Sequence, residues 1–298
     1  MEITFLGTSS AVHTEYRNHP GICLKAFGET FLFDCGESTQ KQLLYAKISP
    51  MKVSKIFITH YHGDHILGLP GLIQSLNFRG REKPLDIYGP QGLLKIKEGI
   101  EKLSGDELRY KINYNEIDEG TIVECEDYVI KACKVRHNTP SLAYSIEEKK
   151  KPRFLREKAI ELGIPEGPAF GKLHRGESIE LNGKIIKPEE VLGKPRKGRK
   201  VTYSGDTSLC EEMIMFARDS TVLIHEATYL SEDRARALEN AHSTSQDAAV
   251  IARDSNSKKL LLTHFSPRYD DENQILEEAK EIFENVELAK DLMKVEIK

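Results

Sequence analysis

Long apolar runs are missing from this chain. No stretch approaches the ~20 residues needed to span a bilayer, so a membrane protein is not expected. Cysteine is scarce and scattered. The five residues (Cys23, Cys35, Cys125, Cys133, Cys210) are odd in number and include no C-x-x-C pair. That argues against a disulfide framework or a cysteine zinc site and for a reducing compartment. The start, Met1-Glu2-Ile3-Thr4-Phe5, lacks a basic segment followed by a long apolar one, so secretion is not expected and the cytoplasm is. A strong net charge is missing too. The value of −4 does not advertise a nucleic-acid partner.

What is present is a globular composition, 39% hydrophobic and 30% charged over 298 residues, enough for a full core. The mild net charge hides an asymmetry. Residues 149–200 hold 15 Lys/Arg against 7 Asp/Glu, while the remainder holds 28 against 40. The same segment carries 7 of the 21 glycines and 5 of the 12 prolines. Too few apolar residues recur there to build a second domain core. The expectation is therefore one domain, 1–298, with an inserted projecting arm at about 149–200. The arm should hold a short helix at Arg153–Leu162, a glycine/proline turn at 163–168 and a hairpin-like remainder. A localised basic segment on an acidic body suits phosphate contacts; a solvated loop is the alternative.

Elsewhere short strands alternate with helices. Residues 2–6 and 22–34 predict a strand and a hairpin, 37–46 and 69–76 helices, and 85–88 a strand. Residues 91–103 suit an amphipathic helix with Leu94, Ile96, Ile100 and Leu103 on its apolar face. Strands recur from 110 to 147. Ser243 or Thr244 can cap a helix over 246–253.

The chemistry centres on Thr59-His60-Tyr61-His62-Gly63-Asp64-His65, directly after the apolar run Ile56-Phe57-Ile58. A strand end is where open sheets place ligand chemistry. His60 and His62 can reach one ion from the turn, and Asp64 and His65 a second. Imidazole with carboxylate suits zinc, or manganese or iron. Asp34, His137, Asp206 and His264 each follow an apolar run in the same way. A two-metal site acidifies a water, holds a phosphate and neutralises developing charge. It does not supply the leaving group's proton. A histidine held by a carboxylate does, and His242 with Glu226 is the pair available. Asp64 can in addition accept the attacking water's proton.

The H-x-H-x-D-H stretch resembles the metallo-β-lactamase superfamily. That resemblance implies an α/β fold, a four-layer αβ/βα sandwich with two metals at the sheet edges. It puts His60, His62 and His137 on one metal and Asp64, His65 and His264 on the other, with Asp206 bridging. Asp34 matches the first motif, as a partner that orients a ligand imidazole, although a turn-forming aspartate is the alternative. His225-Glu226-Ala227-Thr228 and His242-Ser243-Thr244 are similar to motifs of the ribonuclease Z family. Gly167-Pro168 is similar to the tip of that family's exosite, and Arg17-Asn18 to a basic loop near its active site. His13-Thr14-Glu15-Tyr16 departs from the Pro-x-Lys-x form that precedes that pair in some relatives. The family resemblance implies a zinc-dependent endoribonuclease with two Zn²⁺ per chain. It removes the 3′ trailer of precursor tRNA, leaves a 3′-hydroxyl and works as a homodimer. The competing expectations are another hydrolase of this fold, such as an arylsulfatase or phosphodiesterase, and an RNA-binding protein with structural metal. A structural site has four protein ligands and no open position, which the seven donors and the extra His/Glu pair do not resemble. His225 has no role from the sequence.

Overall fold

The computed structural model describes residues 1–103, 108–194 and 196–298. It contains two compact units, one formed by 1–147 with 199–298 and the other by 148–198.

In the larger unit the apolar runs become two seven-stranded sheets. The first is built from β1 (Glu2–Gly7), β2 (Gly21–Ala26), β3 (Glu29–Phe33), β4 (Val53–Phe57), β5 (Leu85–Gly89) and β6 (Ile112–Glu116). Phe27 and Gly28 join β2 to β3 at φ 53° and 77°. This is the two-residue hairpin geometry that matches strand twist and that glycine tolerates best. The second sheet takes β7 (Gly120–Glu124), β8 (Tyr128–Lys134) and β9 (Leu142–Glu148). After β10 (Ile179–Leu181) and β11 (Lys184–Ile186), which pair in the smaller unit, come β12 (Lys200–Tyr203), β13 (Val222–Glu226), β14 (Leu260–Thr263) and β15 (Val286–Leu288). The last strand, β16 (Lys294–Glu296), returns to the first sheet beside β1. The orders are β16-β1-β2-β3-β4-β5-β6 and β15-β14-β13-β12-β9-β8-β7.

Alternation decides the layers. Phe5, Phe31, Phe33 and Phe57 from one sheet meet Tyr144, Tyr203 and Ile224 from the other in a shared core. The opposite faces are covered by helices. Leu69–Phe78 and Leu93–Leu103 pack on the first sheet, Ser245–Asp254 and Asn273–Lys280 on the second. The result is the four-layer αβ/βα sandwich. Within Leu93–Leu103 the buried face is Leu93 and Ile100 with Ile96 beside them, while Leu94 and Leu103 face out. Ile96 and Ile100 thus lie on the expected face, while Leu93 takes the place of Leu94 and Leu103, because the helix begins at Leu93 and docks through its first turn.

The smaller unit departs from the expected arm in having a core of its own. Ala159, Ile164, Leu173, Ile186 and Val191 are buried together, with Phe154 and Phe170 against them. Two helices, Arg156–Glu161 and Pro168–His174, and the β10–β11 hairpin supply Ala159, Phe170, Leu173 and Ile186, while Phe154, Ile164 and Val191 come from the segments around them. The sequence suggested only the first helix and the hairpin. The second starts at Pro168, where the fixed ring φ suits a first turn, so a glycine/proline pair read as a turn also opens a helix.

Candidate metal centre

Parallel strands carry their C-terminal ends to one edge, where backbone turns release side chains from the sheets. In the first sheet β3 delivers Asp34 and β4 delivers His60 to His65; in the second, β12 delivers Asp206, β13 ends on Glu226 and β14 releases His264. Asp34 and His264 sit at φ 57° and 60°. The two edges close tightly at Gly205, φ 59°, where a Cβ would lie 2.8 Å from Cβ of Thr59. Gly205→Ala is therefore expected to lower the unfolding free energy by more than the ~1–2 kcal/mol of a left-handed alanine. A thermal or urea melt reads this; an unchanged midpoint refutes the tight closure.

The histidines converge. One donor atom each from His60, His62, His137 and Asp206 lies within 4.8 Å of the others, and the same holds for Asp64, His65 and His264. Asp206 stands between the groups, its Oδ2 3.6 Å from His60, 3.3 Å from His65 and 3.4 Å from His264. Its Oδ1 is buried without a hydrogen-bond partner among the described residues. An unpartnered buried carboxylate oxygen is costly unless a cation faces it.

Ring orientation is fixed from behind. Nδ1 of His65 donates to Asp34 at 2.8 Å, Nδ1 of His137 to the Ala241 carbonyl at 2.9 Å and Nδ1 of His264 to the Thr228 hydroxyl at 2.9 Å. In each case Nε2 is left as the inward lone pair. Asp34 is itself held by the Thr59 amide and hydroxyl and the Tyr203 hydroxyl. Asp64 accepts the Ala11 amide at 2.9 Å. The residues present thus fit a pair of divalent ions in number, donor type and orientation.

Electrostatics agree. Burial and the neighbouring His65 hold His60 below the usual imidazole range, and burial and His137 do the same to His62. Neutral rings are the ligand form. His65 differs: burial opposes a charge, but Asp206 and Asp34 override it and hold the ring well above its usual range, so in the ion-free centre a proton sits where a cation would take its place. Asp206 itself is held low against burial by His264 and His65.

Beside this centre Glu226 is fully buried and bonds His242 Nδ1 at 2.8 Å. The Thr207 amide donates to the same Glu226 oxygen at 2.7 Å, and the Thr228 hydroxyl to the other at 2.5 Å. Burial opposes a charge on His242; Glu226 overrides it and lifts the ring to about 9.

Other expected residues lie elsewhere. Arg17 is buried rather than presented. Its guanidinium pairs with Glu272, donates to the Ala289 carbonyl at 3.0 Å and stacks over Phe265. Asn18 donates to Asp291. Glu272 and Asp291 thus tie both side chains down as loop anchors, and the expected RNA contact of this pair stays a proposal. Gly167 and Pro168 are exposed in the smaller unit, Gly167 at φ 117°. His225 is buried, with its Nδ1 bonded to the Glu226 carbonyl. Thr59, Tyr203, Thr228 and the Ala11 amide were missed. Thr59 and Thr228 stood inside the motifs; Tyr203 and Ala11 have no local signal.

Two family models match: one described as Anti-Pycsar protein Apyc1 over residues 1–151, and one described as Beta-lactamase superfamily domain over 187–265. The first stops before Asp206, Glu226, His242 and His264. Relatives that span both halves decide between them. The chain is 55% identical to "Ribonuclease Z" of Methanothermobacter thermautotrophicus, covering 100% of this chain and 97% of that one. It is 46% identical to "Ribonuclease Z" of Methanosarcina mazei, covering 100% and 98%. Among solved structures it is similar to human tRNase Z, short form, at 29% identity and a TM-score of 0.74, with 100% of each chain covered. With the fold, both histidine clusters and the His242–Glu226 pair in one continuous match, the chain belongs to the ribonuclease Z family of metallo-β-lactamase-fold hydrolases.

Proposed function

We propose that this chain is an endoribonuclease that removes the 3′ trailer of precursor tRNA. The observation that carries the reading is Asp206 standing between two imidazole clusters, beside a histidine held by a buried carboxylate. His60, His62 and His137 would hold one ion, Asp64, His65 and His264 the other, with Asp206 shared; zinc suits these donors best, manganese or iron next. Such a pair, when bound, supplies the positive charge that seats a phosphate and makes a water acidic enough to attack.

The remaining steps belong to side chains. Asp64 accepts the proton of the attacking water. His242, with Nδ1 committed to Glu226, has Nε2 left to give its proton to the departing 3′-oxygen. The bond broken is then on the trailer side of that oxygen, and the tRNA keeps a 3′-hydroxyl. No helix of the described residues is long and apolar enough to cross a membrane, and all five cysteines are free. Both features agree with work in the reducing cytoplasm, where precursor tRNA is made. A homodimer belongs to the same reading and rests on the family resemblance alone.

The test is incubation of the metal-loaded protein with a 3′-extended precursor tRNA and mapping of both product ends. Mature-length tRNA with a 3′-hydroxyl is expected. Hydrolysis of bis-p-nitrophenyl phosphate with an untouched precursor would point to another hydrolase of this fold.

Recognition of a folded tRNA needs more than a site for one phosphodiester. Double-stranded RNA is read largely by shape, and phosphate contacts position it in a salt-dependent way. Residues 148–198 carry the basic surplus in a compact unit with the exposed Gly167-Pro168 turn. Replacing that unit by a short Gly/Ser linker is expected to abolish precursor processing, spare bis-p-nitrophenyl phosphate hydrolysis and flatten the salt dependence of tRNA binding. A deleted protein that binds and cuts precursor normally removes the unit from recognition.

A further inference from the structure

A third set of metal-type donors lies outside the paired clusters, two in the loop between β1 and β2 and one in the turn after β3. One donor atom each from His13, His19 and Glu37 lies within 4.8 Å of the others. The two imidazoles are stacked, centroids 3.7 Å apart and planes at 30°. His19 Nε2 donates to the Ala11 carbonyl at 3.2 Å, which leaves Nδ1 as a lone pair. That Nδ1 is buried without a hydrogen-bond partner among the described residues, and so is Nε2 of His13. His19 is only 8% exposed. Two buried imidazole nitrogens, one of them fixed as an acceptor, with an exposed carboxylate beside them, are an arrangement that a hydrogen-bonding core does not produce.

We propose that His13, His19 and Glu37 form a separate binding site for a borderline divalent ion of the zinc class. Two imidazole nitrogens and one carboxylate oxygen are donor types that such an ion accepts, and with three protein donors instead of the four of a closed structural site, water completes the shell from the exposed Glu37 side. Tetrahedral zinc with bonds of about 2.0–2.1 Å needs its donors roughly 3.4 Å apart. The donors lie within 4.8 Å of one another, so side-chain rotation on the loop has to draw them together on loading.

The placement gives the ion a task. The loop base is anchored by Arg17 and Asn18, and its Ala11 amide holds the Asp64 carboxylate at 2.9 Å. Ala11 sits at φ 53°, a backbone state that alanine adopts only when held. Glu37 follows Gly36, whose Cβ position lies against the Asp64 carbonyl. An ion joining His13, His19 and Glu37 ties the far side of the loop to its base and to the segment behind Asp64. It is a staple that positions Ala11, and through it Asp64, and takes no part in the reaction.

The experiment is a metal count on the whole chain. Metal-stripped protein is reloaded with ZnCl₂, desalted and assayed for zinc, beside His13→Gln and Glu37→Gln. Each variant is expected to hold one ion fewer per chain than the wild type, with an unchanged far-ultraviolet circular dichroism spectrum. The readout is a difference, so it stands whatever number the paired clusters hold. Crystals of the loaded wild type should show a zinc-edge anomalous peak among the three side chains, absent in His13→Gln. Equal zinc in wild type and variants, loss of the extra ion on desalting, or no anomalous peak there each overturns the proposal.

Discussion

Asp206→Ala is expected to lower precursor-tRNA turnover by about 10³-fold or more and to reduce the zinc retained after dialysis. The carboxylate is within reach of both clusters, with Oδ2 3.3–3.6 Å from three imidazoles and Oδ1 without a hydrogen-bond partner among the described residues. Removing it takes one negative charge from a centre that otherwise gathers five imidazoles and a single other inward carboxylate, Asp64. Each decade of rate corresponds to ~1.4 kcal/mol, and a metal site contributes several kcal/mol of charge stabilisation, so three decades is the scale to expect. Asp206→Asn separates charge from shape: it keeps the side chain's outline and should still lose metal. Elemental analysis with single-turnover rates checks both. A variant that keeps the wild-type zinc content and rate would leave Asp206 a structural residue.

The centre was legible because its chemistry is written locally. His60 to His65 fall within six positions after one strand, and Asp34, Asp206, Glu226 and His264 each close an apolar run. Strand ends of a four-layer sandwich share one edge, so residues far apart in sequence could be grouped once each strand was recognised. What was not legible depends on tertiary partners. Arg17 looks like a free cation until Glu272, 255 positions away, is brought against it. Tyr203 reads as a core aromatic, yet its hydroxyl braces Asp34. Leu94 and Leu103 fit a helical stripe, but the docking face starts at Leu93. The core of residues 148–198 was missed because so few side chains build it: Ile164, Leu173 and Val191 meet only after two short helices have formed. Late elements such as Asn273–Lys280 and β16 carry no motif, and the sequence offered little reason to place them.

His242→Ala is expected to lower turnover by about 10²–10⁴-fold while leaving metal content and tRNA binding nearly intact, the loss of a general acid. Because His242 works through its bond to Glu226, the double variant His242→Ala/Glu226→Gln should be little slower than His242→Ala alone. Additive losses would separate the two residues. The pH profile provides a second, independent reading. A ring held at about 9 in the metal-free protein is protonated at neutral pH, and an acid catalyst fails as pH rises through its pKa. Cations at the adjoining clusters push that value down, so the alkaline fall in kcat should lie below pH 9 in the loaded enzyme. The stability linkage has the same sign. The pair's contribution is complete below about 6.5, the ordinary imidazole value, and is lost as pH climbs through the raised one. Glu226→Gln removes the carboxylate that overrides burial, so the alkaline limb of kcat should move to lower pH. Thr207 and Thr228 lose a charged acceptor in the same variant, which a merely structural account would register as instability with the limb unmoved. A limb that stays in place while the protein melts earlier assigns Glu226 to the fold. One that moves down assigns it to the proton.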